Sequence, residues 1–220
     1  MKYDIIATGS NGNAVIINEE ILIDCGVAYK KLEPYAKKLK LVLLTHVHGD
    51  HFKPSTVRAL HRERPALRFG CCEWMVGPLL DAKVDKRVID VYELHRGIWY
   101  PSFCDIHPIP LVHDTPNCAY IIARYGERCF YATDSGTLDG INAKGCGLYL
   151  IEANHTEGEI EARAAEKLSR GEYSYEQRAA ANHLSYEQAM DFLASNAGPQ
   201  SRYVLLHRHR EKEENDGTSD

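Results

Sequence analysis

Leu41-Val42-Leu43-Leu44 is an unbroken apolar run of strand length, and it stops at Thr45-His46-Val47-His48-Gly49-Asp50-His51. A short run without polar alternation fits a strand covered on both faces, because a solvated face would make every second residue polar. The chain therefore needs a layered α/β architecture with helices over a sheet. It must also accommodate four ionisable side chains at the end of that buried strand. An extended H-x-H puts His46 and His48 on one side of the chain. Gly49 lets the chain turn and carry Asp50 and His51 toward a second point nearby. An open metal site takes three protein ligands, so four from one loop exceed the needs of one ion. The geometry favours two cations about 3.5–4 Å apart.

Further ligands are then expected at other strand ends. His113 follows Ile109-Pro110-Leu111-Val112, Asp134 follows Phe130-Tyr131-Ala132-Thr133, and His207 follows Val204-Leu205-Leu206. With two oxygens, Asp134 can bridge a pair of cations, which a neutral imidazole does poorly.

The rest of the pattern reads as short strands and interspersed helices. Strands are expected over 3–7, 14–17, 20–24, 87–92, 148–153 and 203–206, and a hairpin joins 118–123 to 129–133. Gly9, Asn11, Gly12 and Asn13 supply the first turn. Helices are expected over 30–39, which contains Pro34, over 55–64, opened by Pro54 and ended by Pro65, over 73–82, and over 157–170. Ser185-Tyr186-Glu187-Gln188 is a capping box of the form S-x-x-Q, opening a helix to about residue 195. The reading is one domain over 1–210, two mixed sheets with helices outside. An acidic tail, 211–220, lacks apolar residues and is expected to be disordered.

Charge and cysteine usage narrow the class. The net charge is −5, but the tail EKEENDGTSD carries five acids and one lysine, so the folded part is near neutral. A basic excess typical of a dedicated nucleic-acid-binding domain is missing. The seven cysteines are scattered and odd in number, without C-x-x-C, and read as buried free thiols in a cytoplasmic protein. No apolar run nears the roughly 20 residues of a membrane span, and MKYDIIATGS lacks the apolar stretch of a secretory signal.

THVHGDH, LVHD, ATDSG and LLHRH, in that order, resemble the metallo-β-lactamase superfamily, an αββα sandwich with a metal pair at the strand ends. The resemblance runs from GSNGN at 9–13 to His207. It implies that His46, His48 and His113 hold one ion, that Asp50, His51 and His207 hold the second, and that Asp134 bridges both. It also makes Asp24 a supporting acid. Leu150-Ile151-Glu152-Ala153-Asn154-His155, then Asn182-His183-Leu184-Ser185, resemble the RNase Z branch. GSNGN, ATDSG and the Gly171–Tyr173 element bring it closer to the YycJ/WalJ-type exonucleases.

What the resemblance implies is a metal-dependent phosphodiester hydrolase carrying two divalent cations, Zn first, with Mn, Fe or Co also compatible. A hydroxide bridging the cations would attack phosphorus, with Asp50 and Asp134 at the reacting centre and His183 as general acid. The expected substrate is nucleic acid or a small nucleotide; the chain meets no membrane and could form a homodimer. The alternative is a cyclic-nucleotide phosphodiesterase of the anti-Pycsar type, which the near-neutral body suits. Thioester hydrolysis of the glyoxalase II type ranks lower because of the HLS element, and β-lactam hydrolysis lower again because His51 stands where those enzymes often carry a basic residue. A flavo-di-iron oxidoreductase usually has an acid within the His loop, and a pseudoenzyme would have lost ligands. His61, His95 and His107 read as surface or core residues, His155 as one worth testing, and His209 as a flank.

Overall fold

The computed structural model describes residues 1–170 and 181–207, with the backbone alone at 161 and at 163–165. The Gly171–Tyr173 element, His209 and the acidic tail lie outside the described residues.

Two six-stranded sheets face each other. The first runs β1 (Tyr3–Ala7), β2 (Ala14–Ile17), β3 (Ile21–Ile23), β4 (Leu41–Leu44), β5 (Arg68–Cys72), β6 (Ile89–Tyr92). Its pairings are antiparallel up to β3 and parallel thereafter. The second comprises β7 (Ile98–Tyr100), β8 (Cys104–Leu111), β9 (Asn117–Arg124), β10 (Glu127–Ala132), β11 (Leu148–Glu152) and β12 (Arg202–Leu206). It is antiparallel up to β10 and parallel from there to β12. Helices α1 (Tyr29–Ala36), α2 (Pro54–Glu63) and α3 (Val76–Asp81) cover the outer face of the first sheet through Leu32, Val57, Leu60 and Leu79. After α4 (Glu157–Ser169), α5 (Tyr186–Asn196) covers the second sheet through Ala189, Phe192 and Leu193. This is the expected αββα sandwich.

Strand β4 shows why its sequence lacks alternation. Leu41 and Leu43 point between the sheets, whereas Val42 and Leu44 point at the helices. Both faces are dry, so both are apolar. All seven cysteines are buried and unpaired, as expected. Among the described residues no helix is long and apolar enough to cross a membrane.

Strands β5 and β7 escape the sequence reading and β8 is read only at its end, over 109–111, and each has a local cause. Strand β5 contains Gly70, which looks like a breaker; a Cβ there would collide with the Tyr92 hydroxyl. That hydroxyl lies 2.6 Å from the Tyr100 hydroxyl, joining the last strand of one sheet to the edge strand of the other. Strand β8 contains Pro108 and Pro110, but β7 pairs only with residues 104–106, so both prolines lie beyond its end, where the Pro108 carbonyl accepts from the His95 amide at 2.9 Å and no strand calls for a proline N–H. Strand β7 is only three residues long. The expected helix over 73–82 divides into a 3-10 turn, Glu73–Met75, and α3, and the expected strand over 87–92 begins with a second 3-10 turn before β6.

Candidate metal centre

The polar side chains gather where strands of both sheets end. Asp24 follows β3, His46 follows β4, His113 follows β8, Asp134 follows β10, Glu152 closes β11 and His207 follows β12. His48, Asp50 and His51 come from the turn after β4, where the amides of His51 and Phe52 donate to the His48 carbonyl at 2.9 and 2.7 Å. His183 stands just ahead of α5, which opens on the Ser185–Gln188 capping box. Asp24, Asp134 and His207 have φ of 60°, 59° and 55°. In this left-handed conformation the chain swings aside as the strand ends, and it costs energy for residues with a Cβ.

Three groups of donor atoms, each group within 4.8 Å, form at this edge: His46, His48 and His113; His46, His51 and Asp134; and Asp134, Glu152, His183 and His207. The first is an all-imidazole set with His48 Nδ1 3.3 Å from His113 Nε2. Asp134 reaches the other two: Oδ2 is 2.7 Å from His51 Nε2, and Oδ1 is 3.3 Å from the Nδ1 atoms of His207 and His183. Asp50 Oδ2 lies 3.7 Å from His51 Nε2 and 4.0 Å from His207 Nε2.

Ring orientation is fixed from behind. His51 Nδ1 sits 2.7 Å from Asp24 Oδ2, and Asp24 also accepts from the Thr45 amide at 3.0 Å. His113 Nδ1 sits 3.1 Å from the Asn182 carbonyl. Glu152 Oε1 is 2.6 Å from His183 Nδ1 and 3.0 Å from His207 Nδ1, while Oε2 accepts from the amides of Ser135 and Leu184 at 3.2 and 3.3 Å. Engaging one ring nitrogen this way frees the other for a metal or a substrate.

These residues fit a cation. His46 Nε2 and Asp134 Oδ2 are buried without a well-aligned hydrogen bond, which a closed polar cluster would not leave so. The charges agree. Burial, reinforced by the charge on His51, pushes His46 down to about 2, and burial also lowers His113, so these two rings stay neutral. Across the cleft, burial opposes a charge on His51, but Asp134 and Asp24 outweigh it and raise its pKa well above the usual imidazole range. In the same way Glu152 raises His183, and Asp134 with Glu152 raises His207 to about 10. The carboxyls of Asp134 and Glu152 are held low despite burial, by His51 in the first case and by His183 and His207 in the second. Buried carboxylates thus draw positive charge into the cleft.

All seven expected ligands and His183 meet here, and Asp24 stands behind His51. His183 also falls in a group able to hold an ion, so its ring has two possible uses. His155 is buried against Ser185 and belongs to none of the three groups. Three residues that the sequence reading quoted only in a turn or a motif also stand at this centre. Glu152 carries the signature that marked Asp134, an acid closing an apolar strand. Asn13 lies with Nδ2 2.8 Å from His51 Nε2, and Asp114 with Oδ1 3.2 Å from His48 Nε2.

A family model described as a beta-lactamase superfamily domain matches residues 19–208. The chain is 27% identical over 237 residues to the exodeoxyribonuclease WalJ of Streptococcus pneumoniae serotype 2, covering 97% of this chain and 83% of that protein. It is 25% identical over 177 residues to the exodeoxyribonuclease YycJ of Bacillus anthracis, covering 70% and 63%. Two solved structures share the fold: the metallo-β-lactamase fold protein YhfI of Bacillus subtilis (TM-score 0.70, 17% identity, 95% of this chain and 86% of that one) and the short form of human tRNase Z (TM-score 0.69, 16% identity, 94% and 93%). With its two sheets, its strand-end His and Asp side chains and this match over most of its length, the chain belongs to the beta-lactamase superfamily.

Proposed function

We propose that the chain is a metal-dependent phosphodiesterase of the nuclease type that takes a nucleic-acid strand, with His183 as general acid. The observation that carries this reading is the Glu152–His183 pair. Glu152 is fully buried and engages His183 Nδ1 at 2.6 Å, leaving Nε2 as the ring atom to face a substrate. The ring lies 5.7 Å from that of His113 and 5.2 Å from that of His207, beside both ligand sets. A proton on Nε2 is positioned for a leaving oxygen. The names of the WalJ and YycJ relatives support DNA as the polymer.

His46, His48 and His113 would hold one ion and Asp50, His51 and His207 the second, with Asp134 between them. When bound, divalent cations supply Lewis acidity toward phosphoryl oxygens and acidify water. Imidazole and carboxylate donors suit Zn, Mn, Fe and Co alike. The near-neutral charge outside the tail favours a second reading, a small cyclic nucleotide as substrate.

The test is His183→Ala on two diesters. With a poor alkoxide leaving group the rate should fall on the order of 10²–10⁴-fold, and with a good nitrophenolate much less. Equal losses on both would remove His183 from the acid role. A salt series on substrate affinity separates the two readings, because polymer binding weakens steeply with salt.

A further inference from the structure

Asn13 lies at the end of the turn between β1 and β2 and is 2% exposed. The Gly9 amide donates to its Oδ1 at 2.9 Å, so a backbone donor fixes which end of the carboxamide is oxygen. Nδ2 then donates toward the carbonyls of Gly9 and Asp50, at 3.2 and 3.3 Å. It also stands 3.3 Å from Asp50 Oδ2 and 2.8 Å from His51 Nε2. The backbone adds two ties: Asn13 donates to the Asp50 carbonyl at 2.6 Å and accepts from the Gly26 amide at 2.9 Å. The mounting is stiff. Gly12, at φ +131°, has the Gly26 carbonyl oxygen 2.7 Å from where a Cβ would stand.

One amide nitrogen therefore lies against both residues of the turn after β4 assigned to the second ion, and it makes no hydrogen bond to His46, His48 or His113. The Asp50 side chain is about a quarter exposed and could otherwise rotate toward solvent. Holding that rotamer in advance removes an ordering cost from binding.

We propose that Asn13 is a positioning residue for the second cation: its Nδ2 holds the Asp50 carboxylate in register before the cation arrives. The inference rests on the two-cation reading above. It differs from a role in loop closure, which uses the bonds of Oδ1 and Nδ2 to backbone groups of Gly9 and Asp50 and none to a side chain.

The test is calorimetric titration of chelator-stripped protein with Zn²⁺, which reads binding without turnover. The unsubstituted protein should take two equivalents. In Asn13→Ala the second equivalent should weaken roughly 10- to 100-fold, the usual effect of removing a group that orients a metal ligand, and the first should be unchanged. Should Asn13→Ala fail to fold, Asn13→Asp keeps an acceptor for the Gly9 amide but replaces the donor by a negative charge beside Asp50; a change confined to the second equivalent, in either direction, is again expected. In a folded variant, equal shifts of both equivalents, or none, would overturn the role of Asn13. A single equivalent in the unsubstituted protein would instead refute the two-cation reading.

Discussion

Glu152→Gln is the most diagnostic single change in this centre because it keeps shape and removes only charge. The carboxylate has four partners: His183 and His207 on Oε1, and the Ser135 and Leu184 amides on Oε2. A glutamine has one acceptor oxygen. The two backbone donors are buried and immobile, so they should claim it, which turns the –NH2 toward both imidazoles. His183 then loses a hydrogen bond to a charged group, worth roughly 1.5–3 kcal/mol. At about 1.4 kcal/mol per factor of ten, that predicts a rate lower by about 10- to 100-fold on a diester with an alkoxide leaving group. His207 Nδ1 must become an acceptor, moving its proton to Nε2 and weakening the second cation by about 10- to 100-fold. Elemental analysis after gel filtration and kinetics at saturating metal separate the two effects. Full metal content together with an unchanged rate would refute the claim that Glu152 orients either ring.

Two further outcomes follow from the same geometry. In Gly26→Ala the new Cβ would occupy the position of the Asp50 carbonyl oxygen, which is backbone and cannot swing aside; overpacking of about 1–3 kcal/mol should lower the melting temperature and displace Asp50 from the cation site, and an unaltered melting temperature would contradict this. In chelator-stripped protein, the raised His207 pKa stabilises the fold fully below the ordinary imidazole value of about 6.5 and ceases to do so as pH rises through about 10; the melting temperature should fall over that window, and a flat profile would remove the His207–carboxylate coupling.

His46, His113, Asp134 and His207 were legible as candidates because each stands just past the end of an apolar run, and such an interruption needs no long-range information. Sheet membership was less legible. Gly70 in β5 makes sense only once Tyr92 is in place, and Pro108 and Pro110 in β8 only once β7 proves too short to cover that edge. Supporting residues were the hardest to read. Asn13 reaches the centre from 37 positions before Asp50, and in sequence it is an ordinary turn residue. Glu152 could have been found by the rule applied to Asp134. Its place beside His183 depends on how β11 and the segment before α5 pack, which no local pattern records.

The left-handed residues at positions 24, 134 and 207 set selection for durability against selection for chemistry. Glycine adopts that backbone freely, whereas a residue with a Cβ gives up on the order of 1 kcal/mol, somewhat less for aspartate. At 24 and 134 a glycine would also relieve the crowding of buried carboxylates. Among the described residues six other non-glycine residues outside the cleft share this backbone, from Asn18 to Tyr125, so what sets the three apart is what they carry: a carboxylate or an imidazole placed at a strand end, at a backbone cost that glycine would avoid.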